Sequence, residues 1–195
     1  MAVSRNLTPR RVSLAALAAS LLFATLACQI DVGGPEPPGD PIPVSAQAAE
    51  EMTQTWRSAL ATAAGTGTLT ILLNESQVTS YLALRLAAQE SPVLTDPQVY
   101  LREGVIQVSG VTERGALKAN VLITVTPRLD PDGSVSFEIT SADVGPLPVP
   151  EALRQTVSTL LTETLTTPLG SLATGIRVTT FAIADGQVAI TGELR

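Results

Sequence analysis

From residue 46 onward the apolar positions follow two alternating periods. Ala49, Met52, Trp56 and Leu60 recur at spacings of three and four, the period of one buried helix stripe, and Ser45 stands where an N-cap belongs. The spacing predicts a helix over 46–63, with Glu50 and Glu51 in its early turns and Gly65 and Gly67 breaking it. Leu69–Leu73 has a strong β bias and reads as a short strand. Asn74 followed by Gln77 approximates a capping box, and the helix it opens runs to about Gln89 with Val78, Tyr81, Leu82 and Leu86 on one side.

After Pro92 the period falls to two. Gln98–Arg102 and Val105–Val111 flank Glu103-Gly104, a tight-hairpin signal. In Leu117–Arg128, Ala119, Val121, Ile123 and Val125 face one way, while Lys118, Asn120, Thr124 and Thr126 face the other. Asp130-Pro-Asp-Gly133 turns the chain into a strand carrying Val135, Phe137 and Ile139. Gly145-Pro-Leu-Pro-Val-Pro150 then leads into a helix whose stripe is Leu153, Val157, Leu160, Leu161 and Leu165. Two last strands, Ile176–Ile183 and Gln187–Glu193, meet at Asp185-Gly186. The predicted class is α+β: a curved antiparallel sheet of about six to seven strands packed with two to three helices. Residues 46–195 form the single folded domain.

Ahead of this domain the pattern is that of an address. Arg5, Arg10 and Arg11 precede an uncharged, Leu- and Ala-rich stretch from Val12 to Ala27. That is the length of a secretory signal core and shorter than the ~20 residues of a spanning helix. It ends Ala24-Thr25-Leu26-Ala27-Cys28, which resembles the lipobox of bacterial lipoproteins, with Thr25 where Leu is usual. On this reading residues 1–27 are a signal peptide, and Cys28 is the site of lipid attachment and the first mature residue. Residues 28–45, crowded with Pro and Gly, read as a semi-extended tether with a reach of at most about 50 Å. The expected location is the extracytoplasmic side of a bacterial membrane.

Charge and composition then remove whole classes of chemistry. The chain contains no His and one Cys, so Ser-His-Asp and Cys-His triads and Cys/His zinc sites are excluded. Removal of residues 1–27 takes three arginines and no acid, leaving 9 basic against 18 acidic side chains and a net charge of −9, which disfavours nucleic acid. Lys118 is the only lysine, so Ser80 and Ser109 lack both a histidine and a Ser-x-x-Lys partner, and there is no phosphate-binding loop. Asp130, Asp132 and Gly133 begin like a calcium loop, but the twelfth position is Ser141, so they read as a turn. Glu50/Glu51 and Asp130/Asp132 sit where a helix start and a turn favour acids. No catalytic residue, cofactor or metal is expected.

Two features remain. Gly145–Pro150 has the look of a polyproline ligand but reads as a rigid strand-to-helix connection. Only 3% of residues are aromatic, and Trp56, Tyr81, Tyr100, Phe137 and Phe181 are too scattered for a stacking platform and read as core. The interior is therefore aliphatic. Two apolar helices over a concave sheet either fill one another's grooves or leave room for an acyl chain, with Leu82, Leu86, Val121, Ile123, Val157 and Leu161 as the candidate lining.

Three stretches, Leu73-Asn-Glu-Ser-Gln-Val-Thr-Ser-Tyr-Leu82, Val99-Tyr-Leu-Arg-Glu-Gly-Val-Ile-Gln-Val-Ser-Gly110 and Asp132-Gly-Ser-Val-Ser-Phe-Glu-Ile-Thr-Ser-Ala-Asp-Val-Gly-Pro-Leu-Pro-Val-Pro150, carry a family likeness. They resemble the YpmS-like family of small bacterial membrane-anchored proteins, which is similar in turn to the tubular lipid-binding (TULIP-like) group. The resemblance implies a long curved sheet wrapped on a helix, with lipids as cargo. The expected function is that of a non-enzymatic lipoprotein whose partners are the membrane and an apolar ligand. The alternative is an envelope scaffold that presents its surface to a protein partner.

Overall fold

The computed structural model describes residues 30–166 and 176–194, and the leader and Cys28 lie outside the described residues. The expected elements occur in the expected order, with one short strand added at the start. They are β1 (Ile30–Asp31), α1 (Ala46–Thr66), β2 (Thr68–Asn74), α2 (Glu75–Ala87), β3 (Thr95–Arg102) and β4 (Val105–Arg114). There follow β5 (Leu117–Leu129), β6 (Val135–Asp143), α3 (Glu151–Thr166), β7 (Ile176–Ala184) and β8 (Gln187–Leu194). The class is α+β.

The helix ends follow from local chemistry. The Ser45 hydroxyl accepts from the Ala48 amide at 3.0 Å, and α1 stops at Gly67, whose φ of 75° an L side chain rarely adopts. At α2 the capping box is complete: Gln77 N donates to Asn74 Oδ1 at 2.9 Å, and Asn74 N donates to Gln77 Oε1 at 3.0 Å.

The strands divide between two sheets. β3, β4 and β5 form an antiparallel path, and both β1 and β6 pair with the far edge of β5, β1 in parallel. Register shifts between Thr95 and Gln98 and between Thr124 and Val125 bend this sheet into a strongly curled half-barrel. β2, β8 and β7 make the second sheet. The two are tied at their hairpin tips. Glu103-Gly104 and Asp185-Gly186 all have positive φ, and Gly104 N donates to the Ile183 carbonyl while Gly186 N donates to the Leu101 carbonyl. Glu75 closes the same junction by accepting from Leu101 N at 2.7 Å and pairing with Arg102.

Inside lies one aliphatic core. Ala119, Val121, Ile123 and Val125 of β5 meet Val78, Leu82 and Leu86 of α2 and Leu153, Val157, Leu160 and Leu161 of α3 in a single buried cluster. The side chain of Leu165 lies outside the described residues. Of the aromatics, Trp56 is in this core, and Phe137 and Phe181 meet edge to face at 6.0 Å. Tyr100 is buried elsewhere. Strand alternation puts Val99 and Leu101 in the core and turns Tyr100, with its neighbours Gln98 and Ser109, to the sheet's outer surface.

What buries Tyr100 is the segment expected as a standing tether. From Ile30 to Ser45 it is seated on the domain as a strap. Ile30 N and Val32 N donate to the carbonyls of Ala116 and Lys118, and Gly33 accepts from Asn120 N at 2.9 Å. The Tyr100 hydroxyl donates to the carbonyls of Gly39 and Asp40, Ile42 N donates to Gln98 Oε1 at 2.6 Å, and Ser45 N donates to Ser80 Oγ. A segment rich in proline has few amides to place. Those that remain find a strand edge and outward side chains, so the reach of a free polyproline chain does not apply between residues 30 and 45. Glycine makes the seating possible: at Gly34 (φ 134°) an added Cβ would stand 2.5 Å from the Asn120 carbonyl oxygen.

Two outcomes are expected. Gly34→Ala lifts the strap and costs about 1–3 kcal/mol, read as faster hydrogen exchange at the Asn120 amide; unchanged protection there refutes the seating. Burial, with the Glu75 and Asp40 carboxylates adding to it, raises the Tyr100 phenol above its ordinary value of 10.0. A raised folded value means the protonated form's stability is whole below pH 10 and is lost as pH climbs through the folded value. With Tyr81→Phe leaving Tyr100 the sole tyrosine, the phenolate absorbance should titrate above 10, and a midpoint at or below 10 contradicts its burial under the strap.

Candidate functional site

The strands of the half-barrel end, beyond the β4–β5 turn, at a set of chain segments that cannot pair as strands. Gly145 (φ 61°) turns away from β6 with its amide on Asp143 Oδ1 at 2.7 Å, and Pro146, Pro148 and Pro150 follow. The Pro150 carbonyl accepts from Leu153 N and Arg154 N and so opens α3. Opposite, residues 92–94 are pinned to β4 by the Thr112 hydroxyl, which donates to the Val93 carbonyl at 3.0 Å. Gly110 leaves space for Leu94: a Cβ there would lie 2.9 Å from the Leu94 Cδ1.

Between these walls is a cavity of about 690 Å³. Val93, Leu117, Val144, Leu147 and Leu153 line it, with Glu113 and Glu151 at its rim. Its volume lies within the range of about 300–1,000 Å³ usual for small-molecule sites. Val144 and Leu153 belong to the core cluster, and Leu147 and Val93 pack against it, so the cavity is the open end of the aliphatic interior. The strap reaches this wall too, because the Gly34 Cα occupies the place that a Cβ on Gly145 would need.

The six residues singled out from sequence are brought together. Leu82, Leu86, Val121, Ile123, Val157 and Leu161 are each at most 4% exposed and share the core cluster, and the cavity is lined by other residues. Leu86 also lines a second hollow of about 400 Å³ beneath Val44 and Leu84, at the end of α2. Sequence reasoning passed over Leu117, although it starts the alternation of Ala119, Val121, Ile123 and Val125, and it missed Val93, Val144 and Leu147, none of which falls on a periodic stripe. Their one signal is an apolar residue isolated among Pro, Gly and turn positions. Gly145–Pro150 forms the strand-to-helix connection and supplies Leu147 to the cavity wall. Cys28 lies outside the described residues.

Other candidates fall to structural roles. Asp132 Oδ1 accepts from Ser134 N and Asp130 Oδ2 from the Ser134 hydroxyl, which is turn chemistry. Glu50 pairs with exposed Arg57 along one helix face. Among the described residues no three acids or cysteines stand together as a metal site. A concavity of about 880 Å³ between α1 and β2 is lined by Thr55, Ser58, Thr62, Thr68 and Thr70 and offers an apolar ligand little.

A family model described as LmeA-like phospholipid-binding matches residues 29–193, a span that takes in the strap, both sheets and the cavity. The comparison with curated proteins found no match.

Thr112→Val should free the Val93 carbonyl and loosen the cavity wall at a cost of about 1 kcal/mol. Hydrogen exchange at the amides of residues 93–95 should rise while that in β8 stays unchanged, and equal exchange in both would show that the hydroxyl does not hold the wall.

Proposed function

The chain belongs to the LmeA-like phospholipid-binding family, and from that premise we propose that it is a non-catalytic bacterial lipoprotein that holds a phospholipid acyl chain in the 690 Å³ cavity. Its anchor is an acylated Cys28, and its place is the extracytoplasmic face of the cell membrane. The narrower likeness to the YpmS-like proteins belongs to the same reading and rests on the three stretches between Leu73 and Pro150.

The observation that carries this reading is the aliphatic lining of the cavity and its continuity with the core. Each buried methylene contributes about 0.8 kcal/mol, so eight of them are worth on the order of 6 kcal/mol against water, beyond the roughly 4 kcal/mol of millimolar binding. A lipid already in a bilayer gains almost nothing from that term, since lipid tails are as apolar as leucine. Uptake from a membrane is then near balance, which suits a carrier or holder that must also release its cargo. On this reading a chain entering past Leu153 would press toward Leu82, Val121, Ile123, Val157 and Leu161, which share its core cluster.

The full chain, purified in mild detergent and examined by native mass spectrometry, should carry about one phospholipid per molecule. Ala152→Trp, on the exposed first turn of α3 at the cavity wall, should cut that occupancy roughly tenfold, equivalent to about 1.4 kcal/mol, with little change in melting temperature. Protein that emerges free of lipid from membranes rich in it overturns the reading and favours the scaffold role.

A further inference from the structure

We propose that the end of the domain bearing the cavity mouth is a membrane-docking face, held against a phospholipid bilayer because the strap returns the chain's N-terminal side to that mouth. The proposal rests on the reading of the cavity as a lipid site and adds to it the partner and the orientation.

The first observation is where the chain leaves the domain. Ile30 pairs in parallel with Leu117, and Leu117 lines the cavity. Ahead of Ile30 stand Cys28 and the uncharged stretch ending at Ala27. Whether the chain is held by acyl groups on Cys28 or by that stretch itself, two or three residues separate the anchor from the mouth, at most about 10 Å. A free Pro/Gly tether would let the domain point anywhere. The seated strap, hydrogen-bonded from Ile30 to Ser45 and wedged by Gly34 between Asn120 and Gly145, removes that freedom.

The second observation is the surface at this end. Ile30 is 56% exposed, Ala116, Pro146, Pro148 and Ala152 are exposed, and Leu147 is half-buried among them. The neighbouring hollow at the end of α2 adds the exposed Val44 and Leu84. The cavity lining includes Glu113 and Glu151 and no basic side chain, so the contact is apolar and should persist at high salt. An open mouth pressed to the bilayer lets an acyl chain pass without being exposed to water on the way.

The test uses the full chain in membranes of phosphatidylethanolamine and phosphatidylglycerol. A photo-crosslinking side chain is placed at the mouth but outside the cavity lining (Ala116→p-benzoylphenylalanine) and at the opposite end of β5 (Leu129→p-benzoylphenylalanine). Those positions are separated by up to about 40 Å of strand. Crosslinking to phospholipid should be roughly tenfold greater at 116 than at 129, at low and high salt alike. Gly34→Ala should lower that ratio several-fold by freeing the strap, and an unchanged ratio removes the strap from the proposal. Equal yields at the two ends overturn the docking face. Lipid retained after detergent extraction is measured on the same samples. Loaded protein with equal yields refutes docking and spares the lipid site, whereas preference for 116 in protein that carries no lipid upholds docking and refutes the lipid site.

Discussion

Everything in this molecule depends on two hairpin tips hydrogen-bonding across the gap between two sheets. The Glu103-Gly104 and Asp185-Gly186 turns exchange amides and carbonyls with each other's strands, and Glu75 clasps the junction from the start of α2. By itself the three-stranded sheet has only α1, packed along β2, to cover its apolar face. Joined to the half-barrel, it shares an interior with α2 and α3, and that interior becomes a single core. The closure lies at one end of the curled sheet. At the other end Pro and Gly keep the chain from pairing, and there the core opens.

An aliphatic interior makes that opening useful. Leu, Val and Ile side chains supply smooth apolar walls with no polar group to satisfy, and the few aromatics are spent elsewhere: Trp56 in the core, Phe137 with Phe181, and Tyr100 on the outer surface. The cavity is thus a place where the core lacks its last layer of side chains. An apolar chain matches the missing material in polarity, which accords with membership in a phospholipid-binding family.

The strap ties the N-terminal side of the domain to the core. Its glycines are placed for contact. Gly34 lies flat on the Asn120 carbonyl and against Gly145, and Gly39 packs on the Tyr100 ring. The same backbone that covers the outer surface of the sheet therefore also buttresses the loop that walls the cavity. A segment whose composition suggests a passive spacer has become part of the domain, and the family match begins at its start.

Much of this was legible in the residues. The capping box at Asn74 and Gln77, the two Gly-containing hairpin turns and the alternation of Ala119, Val121, Ile123 and Val125 are local signals, and local signals determine element type, order and inward face. The six residues chosen as lining lie together in the core for the same reason. What tertiary structure alone decided is everything that joins distant parts of the chain. The division into two sheets, the strap's seat on Tyr100, Gln98 and Asn120, and the cavity between Val93, Leu117 and Leu147 depend on residues tens of positions apart. Periodicity reports which side of an element meets apolar surroundings; it carries no information about which element supplies them, or where they run out.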